Sequence, residues 1–197
     1  MPKTSLKKLE EKTGRTIKEF YSLNKEKIFD VILYGSSVRG KGIPRDIDIL
    51  IIFKKELRQD EYYDLPYELR KKLEKLDLNV DVKGKTLEEI FDPNFLARSS
   101  IFLEGYSLLK REFLVEELGF RGYTMFNYSL ENLPQSKKIG FRYALKGRNG
   151  NGVLQTLNGK HIGSGTILIP VENTEEFKSF LERWNVNFKE SRILQEV

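Results

Sequence analysis

Two apolar runs, parted by a glycine-serine bend and a pair of aspartates, constrain this 197-residue chain most tightly. FDVILYG (residues 29–35) ends at glycine, and DIDILIIF (46–53) opens on Asp46 and Asp48 before turning wholly apolar. Apolar runs of this length between turn residues read as strands buried on both faces. The chain must therefore build a sheet with cover on each side. Asp46 and Asp48, two residues apart on the second strand, leave the same face. Carboxylates so placed repel each other unless a cation sits between them.

The residues between the two runs suggest what those carboxylates hold. Gly35-Ser36 falls where the first strand ends and a helix would start. Glycine lets a ligand come close to the backbone, and free N–H groups at a helix start suit phosphate oxygens. Ser36 adds a hydroxyl donor, and Arg39, Lys41 and Arg45 add positive charge. A phosphate cradle beside paired acids is the layout for a metal-bound nucleoside triphosphate. A third acid is then expected from an adjacent strand. DLNVDVKG (77–84) alternates, with Leu78, Val80 and Val82 on one face and Asp77, Asn79, Asp81 and Lys83 on the other. Asp81 is the candidate and Asp77 the reserve. The competing reading has Asp46 and Asp48 ending a loop and facing water. Asp-x-Asp alone carries little weight, but its place between a Gly-Ser turn and Asp81 favours the ligand reading.

Composition narrows the chemistry. There is no cysteine, which excludes disulfides and thiolate zinc sites and fits a reducing compartment. His161 is the sole histidine, so a metal site must rest on oxygen ligands. No apolar run approaches the roughly 20 residues of a membrane span, and the charged N-terminus MPKTSLKKLEEKTGR lacks the apolar core of a signal peptide. A soluble, cytoplasmic protein with no membrane partner is expected. The 32% of charged residues, rich in Lys and Glu, leans toward a thermophile. Nothing in the sequence specifies an oligomeric state.

Along the chain, residues 4–27 have helical spacing with a possible break at Gly14, and 60–76 read as a helix containing Pro66. Thr86 and Glu89 have capping-box spacing for a helix over TLEEIF. A helix or helix-strand passage runs to residue 110, and FLVEELG reads as the helix closing a first domain. The expected division is 1–120 and 121–197. In the second part YTMFNYSLENL reads as a strand, and 136–148 as a helix ended by GRNGNG. VLQTLNGKHIGSGTILIPV mixes a short helix, a turn and a strand. NTEEFKSFLERWNV reads as a helix capped by Asn173 or Thr174, with Phe177, Phe180, Leu181 and Trp184 inward.

GSSVRGKGIPRDIDILI resembles the signature of the DNA polymerase β-like nucleotidyltransferases, especially their minimal members. Gly35-Ser36, Arg39-Gly40, Asp46-Ile47-Asp48 and Asp81 match that family's pattern in order, and IFLEGYSLL resembles its later Glu-Gly segment. The residue before the first aspartate, commonly serine there, is Arg45. The likeness spans about residues 28–110. It implies an α/β (α+β) fold, a mixed β-sheet flanked by helices, to which the second part adds a small α+β domain. It implies transfer of a nucleoside monophosphate from an NTP to an acceptor hydroxyl. It implies that Asp46, Asp48 and Asp81 hold Mg²⁺ or Mn²⁺, with Asp81 also accepting a proton, and that Gly35, Ser36, Arg39 and Lys41 serve the phosphates. Arg39 and Lys41 read equally well as plain surface residues.

The net charge of +5 is uneven: residues 121–165 carry seven basic residues against Glu131, and the rest of the chain is near neutral. Either this segment meets an anionic partner or it is a solvated basic face. Lys137, Lys138, Arg142 and Lys146, with Phe141 and Tyr143 interleaved, suit a nucleic-acid backbone, or a helix that buries its aromatics and solvates its lysines. Two functions remain open. One is a nucleotidyltransferase acting on RNA or tRNA, a protein or a small molecule, with relatives in toxin–antitoxin pairs. The other is a non-catalytic nucleic-acid- or protein-binding module.

Overall fold

A computed structural model describes residues 5–40, 46–147 and 152–196. The chain divides into two compact units, Met1–Gly119 and Phe120–Val197. In the first, α1 (Ser5–Asn24) precedes β1 (Ile28–Tyr34) and β2 (Ile47–Phe53). Then come α2 (Gln59–Glu74), β3 (Val80–Thr86), α3 (Leu87–Phe91), α4 (Arg98–Glu104) and the short β4 (Tyr106–Ser107). The sheet order is β3-β2-β1-β4. β1 runs antiparallel to both β2 and β4, whereas β2 and β3 are parallel because α2 carries the chain back between them. This is the mixed sheet flanked by helices that the sequence resemblance implies.

The apolar runs dictate this burial. Ile32, Tyr34, Leu50 and Ile52 on one face pack with Ile90 of α3 and Ile101 of α4. Val31, Leu33, Ile49 and Ile51 on the other face are also buried. There, the Phe53 ring and Pro66 of α2 leave no space for a side chain at Gly84. α1 passes through Gly14 without a break, burying Leu6, Leu9, Ile17 and Phe20. α3 starts on a full capping box, with Thr86 accepting from the Glu89 amide and Glu89 accepting from the Thr86 amide. FLVEELG forms only a 3₁₀ turn, Glu116–Leu118, stopped by Gly119 at φ +76. Among the described residues no helix is long and apolar enough to cross a membrane.

The second unit holds β5 (Phe120–Ser129), α5 (Gln135–Lys146), α6 (Val153–Thr156) and β6 (Lys160–Gly163). It ends with β7 (Thr166–Pro170), α7 (Thr174–Arg183) and β8 (Asn187–Glu196). Its sheet, β6-β7-β5-β8, is antiparallel throughout. Phe126, Phe141, Leu145, Ile167, Ile169, Phe177, Phe180 and Leu181 make one aromatic-rich core. Asn173 occupies the N-cap position of α7 as expected, but its side chain makes no capping hydrogen bond. The Asn173 amide donates to the Leu157 carbonyl (3.0 Å), and the Thr174 hydroxyl pairs with that of Thr124 (2.6 Å).

Candidate active site

The register of the first sheet builds the site. Tyr34 at the end of β1 lies opposite Asp48 on β2, and Asp48 lies opposite Asp81 on β3. Residues directly opposite share a face, so tyrosine and two carboxylates form one row across three strands. It continues the face that carries Ile32, Leu50 and Ile52. Asp46 sits in a bend just before β2 rather than on the strand, and its Oδ1 accepts a hydrogen bond from the Asn79 amide. The Ile47 amide donates to the Asn79 carbonyl (3.0 Å), which ties that bend to the approach of β3. Asp77 is off the sheet, in a left-handed turn at φ +52 before β3, so the reserve position does not join the row.

The bend after β1 is shaped around Asp48. Gly35 has φ +75, and a Cβ built there would stand 2.8 Å from Asp48 Oδ2. Any other residue would be strained in this conformation and would press against the carboxylate. Gly35–Ser37 turns as a 3₁₀ helix, with the Val38 amide donating to the Gly35 carbonyl (3.2 Å). Ser36 is part-exposed on this turn. Ser37 is fully buried, and its Oγ has no hydrogen-bond partner among the described residues. Arg39 follows, with its Nη1 3.7 Å from Oε2 of Glu104, a fully buried carboxylate at the end of α4. The Glu-Gly segment thus contributes a group that anchors Arg39. Lys41 and Arg45 lie outside the described residues.

The electrostatics converge on Asp48. Burial pushes its carboxyl above the usual aspartate range, and Asp81 and then Asp46 push it further, while Lys83 and Arg39 pull it down. The Tyr34 hydroxyl is pushed up to about 12 by burial and then by the negative charge of Asp48 and Asp81. A half-buried carboxylate flanked by two more is a place where positive charge is stabilised. The donor set is all carboxylate oxygen, which suits a hard divalent cation in kind and in charge. Two donors are engaged by neighbours: Asp46 by Asn79, and Asp81 by Lys83 Nζ at 3.0 Å. Among the described residues no group of three or more His, Asp or Glu is gathered closely enough to hold an ion. Asp46, Asp48 and Asp81 are therefore near enough to act on one charge but are not drawn into a chelate.

Sequence reasoning passed over several of these groups. Tyr34 reads as the last apolar residue of a strand and Ser37 as a repeat of Ser36. Lys83 reads as one more lysine on a polar face. Only the cross-strand register reveals that Tyr34 and Lys83 flank the carboxylates. The Gly35-Ser36 signal did point to the bend.

Residues 15–111 match the family model described as "Polymerase beta, Nucleotidyltransferase". Similar solved structures include a tri-AMPylated Shewanella oneidensis HEPN toxin in complex with MNT antitoxin, at 21% identity and TM-score 0.35, covering 50% of this chain and 71% of that one. A toxin–antitoxin pair MntA–HepT is similar at 18% identity and TM-score 0.33, covering 49% of this chain and 68% of that one. A toxin–antitoxin structure with AMP-PNP is similar at 21% identity and TM-score 0.36, covering 48% and 71%. No curated protein matches the chain.

Proposed function

From the premise that residues 15–111 carry a nucleotidyltransferase domain of the polymerase beta family, we propose that the chain moves a nucleoside monophosphate from an NTP to the hydroxyl of an acceptor, RNA or tRNA in the first instance. The observation that most supports this is the fit between Asp48 and the glycine bend. The turn that would cradle phosphates has no side chain where the carboxylate sits, and that carboxylate faces Asp81 across the sheet.

In the reaction the acceptor oxygen attacks the α-phosphorus, the bond from α-phosphorus to the bridging oxygen breaks, and pyrophosphate leaves with that electron pair. Asp46, Asp48 and Asp81 are the residues that would hold Mg²⁺ or Mn²⁺, which supplies Lewis acidity toward the phosphate oxygens and offsets the carboxylates' mutual repulsion. Asp81, the exposed member of the row, takes the proton of the acceptor hydroxyl. Gly35 lets the phosphates approach the turn, and Ser36 donates a hydrogen bond to them. Arg39, fixed by Glu104, meets the charge that develops on pyrophosphate, and Lys41 is assigned to the same task. RNA is favoured as acceptor because residues 121–165 carry a charge of +6.

The test is incubation of the protein with each α-labelled NTP, Mg²⁺ and a total cell extract, followed by separation of RNA, protein and small molecules. Label in the RNA fraction is expected. Label on a protein would replace RNA by a partner of the toxin–antitoxin kind, and label on a small molecule would replace it likewise. No label with any NTP under Mg²⁺ or Mn²⁺ would leave the non-catalytic binding module.

A further inference from the structure

Unit two contains a cleft of about 420 Å³ between β5, α5 and the β6–β7 turn. Lys138, Arg142 and Lys146 line one wall, His161 and Ser164 stand on the β6–β7 side, and Tyr128 and Glu131 are among the other lining residues. The three cations are four residues apart on α5, so they form one stripe with a rise of about 6 Å between neighbours. The adjoining face of the helix buries Phe141 and Leu145 in the core, with Leu145 also lining the cleft, which fixes the stripe's orientation.

Several cations elsewhere in the chain stand beside acids: Lys27 with Glu61, Lys85 with Glu89, Lys110 with Glu117, Arg121 with Glu172, Lys178 with Glu190. Lys138, Arg142 and Lys146 make no ion pair among the described residues, although Glu131 lines the same cleft. Three unpaired cations facing one cavity repel each other, and a polyanion relieves that repulsion.

We propose that this cleft binds single-stranded RNA, with the α5 stripe gripping successive phosphates and the cavity receiving a base or ribose. The volume lies at the low end of the roughly 300–1,000 Å³ of sites that enclose a small molecule. It has room for a splayed nucleotide and not for a duplex. Tyr128 and His161 supply ring surfaces on which a base stacks. Glu131 has no place in a site for bare phosphate. It suits a ligand that also brings hydrogen-bond donors, as a ribose 2′-hydroxyl or a base amino group does. The inference stands on unit two alone and holds whether or not unit one transfers nucleotide.

The test uses the full chain and a fluorescein-labelled 12-nucleotide RNA of mixed sequence, followed by anisotropy in EDTA without NTP, so that transfer plays no part. Binding that weakens with salt is expected. The triple variant Lys138→Ala/Arg142→Ala/Lys146→Ala should bind at least about tenfold more weakly at low salt, and its slope of log affinity against log salt should be shallower by about 2, at about 0.7 per phosphate contact in a single strand. The charge-matched variant Lys7→Ala/Lys8→Ala/Lys12→Ala, on exposed positions of α1, should bind as the wild type does. Equal losses in both triples would reduce the effect to net charge and overturn the proposal. So would binding of DNA of the same sequence, or of duplex RNA, as tight as that of the single strand, and so would no binding at all.

Discussion

Asp48→Asn is expected to lower nucleotide transfer by about a thousandfold or more, the scale of losing a preorganised charge at the reacting centre, and to raise thermal stability in metal-free buffer. Both effects have one cause. Asp48 is held half-buried against the Gly35 bend with Asp81 and Asp46 nearby, and burial first, then those charges, raise its carboxyl above the ordinary range. A carboxyl raised in the folded state favours folding when protonated. That contribution is complete below the unfolded aspartate value and is lost as pH rises through the folded one. At neutral pH the ionised Asp48 therefore weakens the empty fold, and an amide removes the penalty. Melting curves in EDTA should place the variant above wild type at pH 7, with the gap closing toward acid pH. Lower stability at pH 7 together with undiminished transfer would show that Asp48 is an ordinary structural residue.

Phe126→Ala should destabilise the second unit by about 3–5 kcal/mol, the usual cost of deleting a large aromatic from a packed core. Phe126 is fully buried, with its ring 5.0 Å from that of Phe177 and 5.7 Å from that of Phe188. It joins β5, α7 and β8, so a cavity there loosens three elements together. Trp184 is the sole tryptophan of the chain and sits beside Phe141 and Phe180 of the same core, which makes its fluorescence a reporter for this unit. Urea unfolding followed at Trp184 should shift to a clearly lower midpoint. An unchanged midpoint would mean that the packing around Phe126 is not what holds unit two together.

Several of these features could be read from the sequence, and the reasons for the others are physical. β1 and β2 stand out because a strand covered on both faces must be apolar at nearly every position. Asp48 stands out because charge on such a strand is costly unless it is used, and Asp81 because it lies on the polar face of the alternating strand that follows. Asp46 was expected on the strand, and it sits in the preceding bend because Asn79 and the Ile47 amide tie it there. Asp77 alternates correctly with Asp81, yet the chain is still turning at that residue. The largest omission was β8. NFKESRILQE is an edge strand, mostly exposed, with charges on both faces, and main-chain bonds to β5 hold it in place. Such a strand leaves almost no period-two pattern to detect. FLVEELG has helical composition, but Gly119 ends it after one 3₁₀ turn. The α5 stripe was visible as spacing, whereas the cleft it faces required the return of β6 and β7.

In the proposed function Asp48, with its two neighbours, binds a divalent cation together with the triphosphate held at the Gly35–Ser37 bend. The most direct test of that binding is a Mn²⁺ titration followed by the electron paramagnetic resonance signal of the free ion, with and without a non-hydrolysable NTP analogue, on wild type and on Asp48→Asn. Wild type should take up Mn²⁺ more tightly when the analogue is present, and Asp48→Asn should lose at least about tenfold of that affinity. Equal Mn²⁺ affinity and stoichiometry in the two proteins, with the analogue making no difference to either, would contradict it.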